Sequence, residues 1–150
     1  MKKLSFPITL CLFIIYPGYS QNTPFDFTFN HVALSVKDLN ASVEFYKKVF
    51  QLPEITNRTA NPNIRWISLH EGKELHLISN AEPVKLNKSV HLALTLTNLE
   101  AFQKHLSQLK IPYSDWAGNA NTVTTRADGV KQIYMQDPDG YWIEINNASE

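Results

Sequence analysis

Four side chains, those of His31, His76, His91 and Glu144, have the types and spacing of a metal-ligand set. Residues 30–41 read N-H-V-A-L-S-V-K-D-L-N-A and residues 90–101 read V-H-L-A-L-T-L-T-N-L-E-A. His31 and His91 thus hold the same place in a repeat offset by 60 residues. A second position follows late in each repeat, in E-L-H-L-I at 74–78 and in Y-W-I-E-I-N at 141–146. In extended chain alternate residues share a face. His76 then lies with Glu74 and Ile78, opposite Leu75 and Leu77, and Glu144 lies with Trp142 and Asn146. Imidazole and carboxylate donors suit Zn, Ni, Co, Fe or Mn. A lone strand histidine is more often a satisfied core or surface residue than a ligand. It is the joint pattern that points to one divalent ion. Of the remaining histidines, His70 abuts a turn and is a reserve ligand, while His105 sits on a helix and is expected in solvent.

The elements that must position these groups are legible in the periodicity. Residues 29–36 alternate, with Val32, Leu34 and Val36 on one face and His31, Ala33 and Ser35 on the other. Asp38 or Asn40 can cap the helix that follows, whose stripe is Val43, Tyr46, Lys47 and Phe50, and Leu52-Pro53 ends it. A polar loop at 57–63 precedes strands at 64–70 and 74–79, joined by a turn at Glu71, Gly72 and Lys73. The second copy repeats the order: a strand at 90–96, a helix capped by Asn98 and running to about Lys110, then strands near 122–126, 131–136 and 141–146. Asp137, Pro138, Asp139 and Gly140 form a strong turn signal between the last two. Each copy reads as a βαβββ module, at about 27–80 and 88–147, in one α+β domain over 27–150. Small residues opposite the apolar strand faces leave room for a cavity lined by both sheets.

The N-terminus is expected to lie outside this domain. Lys2 and Lys3 precede an apolar run from Leu4 to Tyr16, and small residues at Gly18 and Ser20 mark a signal-peptidase site after Ser20. The run is shorter than the roughly 20 residues that span a bilayer. The expectation is a signal peptide over 1–20 and an exported, periplasmic or extracellular protein with no membrane association after cleavage. Cys11, the only cysteine, lies inside that segment, so the mature chain would use no thiol chemistry. Fourteen basic against fourteen acidic residues becomes twelve against fourteen without Lys2 and Lys3, a net charge of −2. Such a balance argues against a nucleic-acid partner.

The segments H-V-A-L-S-V-x-D-L-x-x-S-V-x-F-Y (His31 to Tyr46) and D-P-D-G-Y-W-I-E-I (Asp137 to Ile145) resemble the two most recognisable stretches of the vicinal oxygen chelate superfamily, which includes glyoxalase I. The resemblance spans about Phe29 to Asn146. It implies a glyoxalase-like fold, with paired βαβββ modules forming a cupped mixed β-sheet around one divalent metal. By matched position, His31 and His76 resemble the ligands of the first module, and His91 and Glu144 those of the second. Bacterial glyoxalase I normally carries a glutamate at the place of His76, so the set becomes three histidines and one glutamate, and Glu144 is left as the candidate catalytic base. Ser35 stands where bacterial glyoxalase I has a glutathione-binding arginine, whereas Asn80 matches an asparagine that helps bind glutathione.

The resemblance implies a lactoylglutathione lyase-like metalloenzyme. Lyase or isomerase chemistry on a small oxygen-chelating substrate, through an enediolate-like intermediate, is the leading expectation. The superfamily's extradiol dioxygenases offer an alternative, using His31, His91 and Glu144 as a facial triad. A drug-sequestering protein of the bleomycin-resistance type is another, with Trp66, Trp142 and Tyr134 lining its cleft. No clear set of phosphonate-binding cations stands out for fosfomycin-type chemistry. Because the superfamily often places its metal between modules of different chains, a homodimer is expected.

Overall fold

A computed structural model describes residues 25–80, 82 and 86–149. The expected signal peptide and much of the linker between modules lie outside the described residues. The first module comprises β1 (His31–Val36), α1 (Leu39–Val49), β2 (Glu54–Ile55), β3 (Ile64–Ser68) and β4 (Glu74–Ser79). The second comprises β5 (His91–Thr95), α2 (Leu99–Leu109), β6 (Thr124–Thr125), β7 (Lys131–Gln136) and β8 (Trp142–Asn146). The α+β architecture of paired βαβββ modules stands, built as two four-stranded mixed sheets ordered β1-β4-β3-β2 and β5-β8-β7-β6. In each sheet the first and last strands pair in parallel and the other pairs are antiparallel. Among the described residues, no helix is long and apolar enough to cross a membrane.

Local chemistry explains the elements. The Asp38 carboxylate accepts from the Ala41 amide at 3.0 Å, and the Asn98 side chain accepts from the Ala101 amide at 2.9 Å. Each cap thus satisfies an amide that the first helical turn leaves without a partner. The strand β3 ends at Ser68 rather than His70, because His70 and Glu71 turn left-handed (φ 67° and 49°) before Gly72. Glu71 and Gly72 at positive φ match the twist of the flanking strands in a tight hairpin, as expected of this turn. The strand β2 was not legible as a strand in the sequence; it adds two residues at the sheet edge.

The core runs through both modules. Val36, Val43, Tyr46, Leu75 and Leu77 of the first and Leu106, Ile133, Met135, Ile143 and Ile145 of the second are buried in one cluster. Polar contacts tie the modules together at the D-P-D-G-Y turn. Asp139 accepts from the Lys37 amide at 2.8 Å and from the Ser42 hydroxyl at 2.9 Å. Tyr46 donates to Asp137 at 3.0 Å. The Tyr141 hydroxyl donates to the Ser35 carbonyl at 3.0 Å and accepts from the Ser35 amide at 3.1 Å. His105 departs from expectation. It is half-buried and its Nε2 reaches the Val49 carbonyl at 3.1 Å, one of the carbonyls that the end of α1 leaves unpaired.

Candidate metal centre in two halves

Strand register decides which side chains share a face. His31 pairs with Glu74, Ala33 with His76, and Trp66 with His76. In the second sheet His91 pairs with Trp142, Ala93 with Glu144, and Tyr134 with Glu144. The sequence-predicted groups therefore lie on the predicted faces, two on each sheet. They meet as pairs: the His31 and His76 rings stack with centroids 4.2 Å apart, and His91 Nε2 lies 3.3 Å from Glu144 Oε2. Among the described residues, no three His, Cys, Asp or Glu side chains converge into a metal-binding group.

The second-module pair is held from behind. His91 Nδ1 lies 2.9 Å from the Lys88 carbonyl. A carbonyl only accepts, so the proton is on Nδ1 and, in the neutral ring, Nε2 carries a lone pair. That lone pair faces a carboxylate oxygen. Glu144 is otherwise engaged by donors, the Tyr134 hydroxyl on Oε2 at 2.6 Å and the Asn146 amide on Oε1 at 2.8 Å. Burial, and then the bond to Glu144, push the Tyr134 hydroxyl far above its ordinary pKa, so it remains a donor. Two acceptors facing each other at 3.3 Å leave a place for a cation between them. The separation is also roughly the edge of a tetrahedron whose centre lies about 2 Å from nitrogen and oxygen donors. This donor set fits a divalent ion, and the fixing of its outer atoms is the usual support for such a ligand pair.

The first-module pair is arranged differently. His31 Nδ1 donates to Asn30 Oδ1 at 2.6 Å, which leaves the lone pair of the neutral ring on Nε2. His76 points its Nε2 at Glu74 Oε2, 2.8 Å away, and keeps only Nδ1. Glu74 is also gripped by Arg58 at 2.8 Å. The His76 bond first, and then that of Arg58, hold the Glu74 carboxyl below the usual carboxylate range. Arg58, Trp66, His76 and His31 form one continuous stack, with successive separations of 4.5, 4.3 and 4.2 Å. Parallel rings aim their lone pairs side by side, so this pair must turn to share an ion.

Ala33, Ser35 and Ala93, the small residues on the predicted cavity faces, line a cavity of about 530 Å³ with His91 and Trp142. Trp66 is buried in the stack, with its Nε1 unpartnered. Asn80 is exposed just past β4 and its side chain accepts from the Glu82 amide. His70 lines a separate cavity of about 470 Å³ with Phe50, Phe102 and His105. Arg58, Lys88 and Trp116 were missed by sequence reasoning: all three lie in loops, where periodicity carries no face information.

The family described as the Glyoxalase/Bleomycin resistance protein/Dioxygenase superfamily matches residues 28–145. The chain is 28% identical over 127 residues to Glyoxylase I 4 of Arabidopsis thaliana, covering 79% of this chain and 70% of that protein. It is 27% identical over 129 residues to metallothiol transferase FosB of Staphylococcus epidermidis, covering 80% and 81%. The fold is similar to that of lactoylglutathione lyase from Agrobacterium tumefaciens, with TM-score 0.62 at 18% identity over 81% of this chain and 93% of that one.

Proposed function

Because this chain belongs to the Glyoxalase/Bleomycin resistance protein/Dioxygenase superfamily, we propose that it is a metal-dependent, glyoxalase-like enzyme acting on a small oxygen-chelating substrate. The observation that carries this reading is the His91–Glu144 pair, two acceptors fixed face to face at 3.3 Å. His31, His76, His91 and Glu144 would hold one divalent ion. When bound, the ion supplies Lewis-acid polarisation of adjacent substrate oxygens. Glu144 is the group placed to take and return the substrate proton, since Tyr134 and Asn146 fix its orientation while leaving free acceptor positions. Trp142, on the cavity wall beside His91, bounds the substrate and excludes water; Trp66 and Asn80 are further binding positions. Lyase or isomerase chemistry fits this arrangement; the glutathione requirement stays a separate question, since Ser35 offers no cation.

Among the described residues no three of these groups converge within one chain, so the reading includes a homodimer in which the first module of one copy faces the second module of the other. Export after cleavage at Ser20 belongs to the same proposal. A second reading, sequestration of a flat ligand, is favoured by one observation: the four-layer stack ending at His31 is an aromatic platform rather than a convergent ligand pair.

Elemental mass spectrometry on protein made without residues 1–20 and purified without chelating resin separates the readings. The enzyme reading expects about one divalent ion per chain, lost in His31→Ala and Glu144→Gln and retained in His105→Ala. Zn, Ni or Co points to isomerase-type chemistry and Fe to a dioxygenase. Protein that holds no metal and cannot be reloaded would sink the enzyme reading in favour of sequestration.

A further inference from the structure

The Lys88 side chain is half-buried against aromatic rings. Its Nζ lies 4.7 Å from the ring centres of Tyr134 and Trp142 and 5.8 Å from that of Trp116. The ammonium also donates to the carbonyls of Asp115 and Trp116 and to the Ser114 hydroxyl. Three donors thus find three acceptors inside a box of aromatic faces, which offsets the desolvation of the charge. The anchor joins three separate pieces of chain: β7 through Tyr134, β8 through Trp142, and the loop that carries Trp116.

At its other end the same residue presents its carbonyl to His91 Nδ1 at 2.9 Å. The intervening turn is closed by the Val90 amide on the Asn87 carbonyl at 3.0 Å and the Ser89 amide on the Asn87 side chain at 2.7 Å. The rings that cage the ammonium also pack on His91, Tyr134 edge-on at 5.6 Å and Trp116 at 6.5 Å. The first module has no such device. Thr28 stands three residues before His31, and the His31 ring is held by its exposed neighbour Asn30.

We propose that Lys88 is a positioning residue: clamped in the Trp116, Tyr134 and Trp142 cage, it fixes the turn before β5 so that its carbonyl locks the His91 ring with Nε2 toward Glu144. The link to metal affinity rests on the functional reading above; the locking of the ring does not.

The test uses nitrogen-15 imidazole spectra of the metal-free protein at about pH 8, where neutral rings report their tautomer, together with zinc affinity by chelator competition. Wild type is expected to show His91 as a single Nδ1–H tautomer. Lys88→Met should give a mixture of tautomers and weaken zinc on the order of 10-fold, while Lys88→Arg, whose guanidinium can stack and donate to the same carbonyls, should restore both. If Lys88→Met fails to fold, Trp116→Leu gives the same readout, because Trp116 is half-exposed and only one wall is lost. A Lys88→Met or Trp116→Leu protein that keeps the single tautomer overturns the proposal. If the tautomer responds as expected while wild type binds no zinc, the positioning role stands and the metalloenzyme reading falls.

Discussion

Glu144 shows how much of a site depends on what a carboxylate is tied to. The Tyr134 hydroxyl occupies one oxygen and the Asn146 amide the other, so the group has one orientation relative to His91. Tyr134→Phe removes one tie without changing shape. The expected outcome is a loss of about 1–3 kcal/mol of stability, since a buried carboxylate oxygen loses its hydroxyl donor, and a drop in metal affinity of roughly 10-fold or more. Urea unfolding and chelator competition check the two effects separately. His76 makes the opposite point. Its type and its place on one face with Glu74 were legible, but the stacking was not: Glu74 takes Nε2, while Trp66 and His31 take the two ring faces.

At the scale of elements, the helices end by different means. The α1 cap was legible as Asp38 or Asn40, polar residues just before an apolar stripe, and the structure places it at Asp38. Asp38→Ala is expected to cost about 1 kcal/mol by removing an acceptor from the Ala41 amide. The end of α2 is less favourable: Lys110 sits in the left-handed region at φ 58°. An L side chain is strained there, so Lys110→Gly should stabilise the protein by up to about 1 kcal/mol, measured as a raised thermal midpoint. Both β4 and β7 have the limits that alternation and turn residues imply, whereas β2 was not marked and β6, expected near 122–126, is two residues long. Such short edges are fixed by pairing with β3 and β7 rather than by their own sequence.

For the whole molecule, the decisive contacts lie between modules. The D-P-D-G-Y turn was legible as a turn, but its role as a latch on α1 was not. Burial pushes the Asp137 carboxyl above its ordinary value. A raised folded pKa means that the fold holds the proton more tightly than the unfolded chain does. That contribution is complete below about pH 3.9, the unfolded value, and is lost as pH rises through the folded one. Asp137→Asn cannot ionise. Its stability relative to wild type should therefore increase between pH 4 and pH 7, a difference read from paired urea titrations. The dimer proposal has its own test in mixed chains. In a shared site, His31→Ala and Glu144→Gln mixed, unfolded and refolded together should recover about one quarter of the wild-type metal, because half the dimers are mixed and each regains one intact site of two. No recovery would place the site within one chain.

The sequence by itself determined the module order, the strand faces and the places of the four candidate donors on those faces, because period-two alternation, helix caps and turn residues are local and the repeat doubles each signal. The tertiary structure alone decided how those donors are grouped. Whether His91 meets Glu144, whether His31 stacks on His76, and whether Lys88 is clamped beside them depend on strands and loops far apart in the chain, and local chemistry does not encode those distances. A latch between Ser35 and Tyr141, 106 residues apart, ties the two modules of one chain together, and no local signal in either segment announces it.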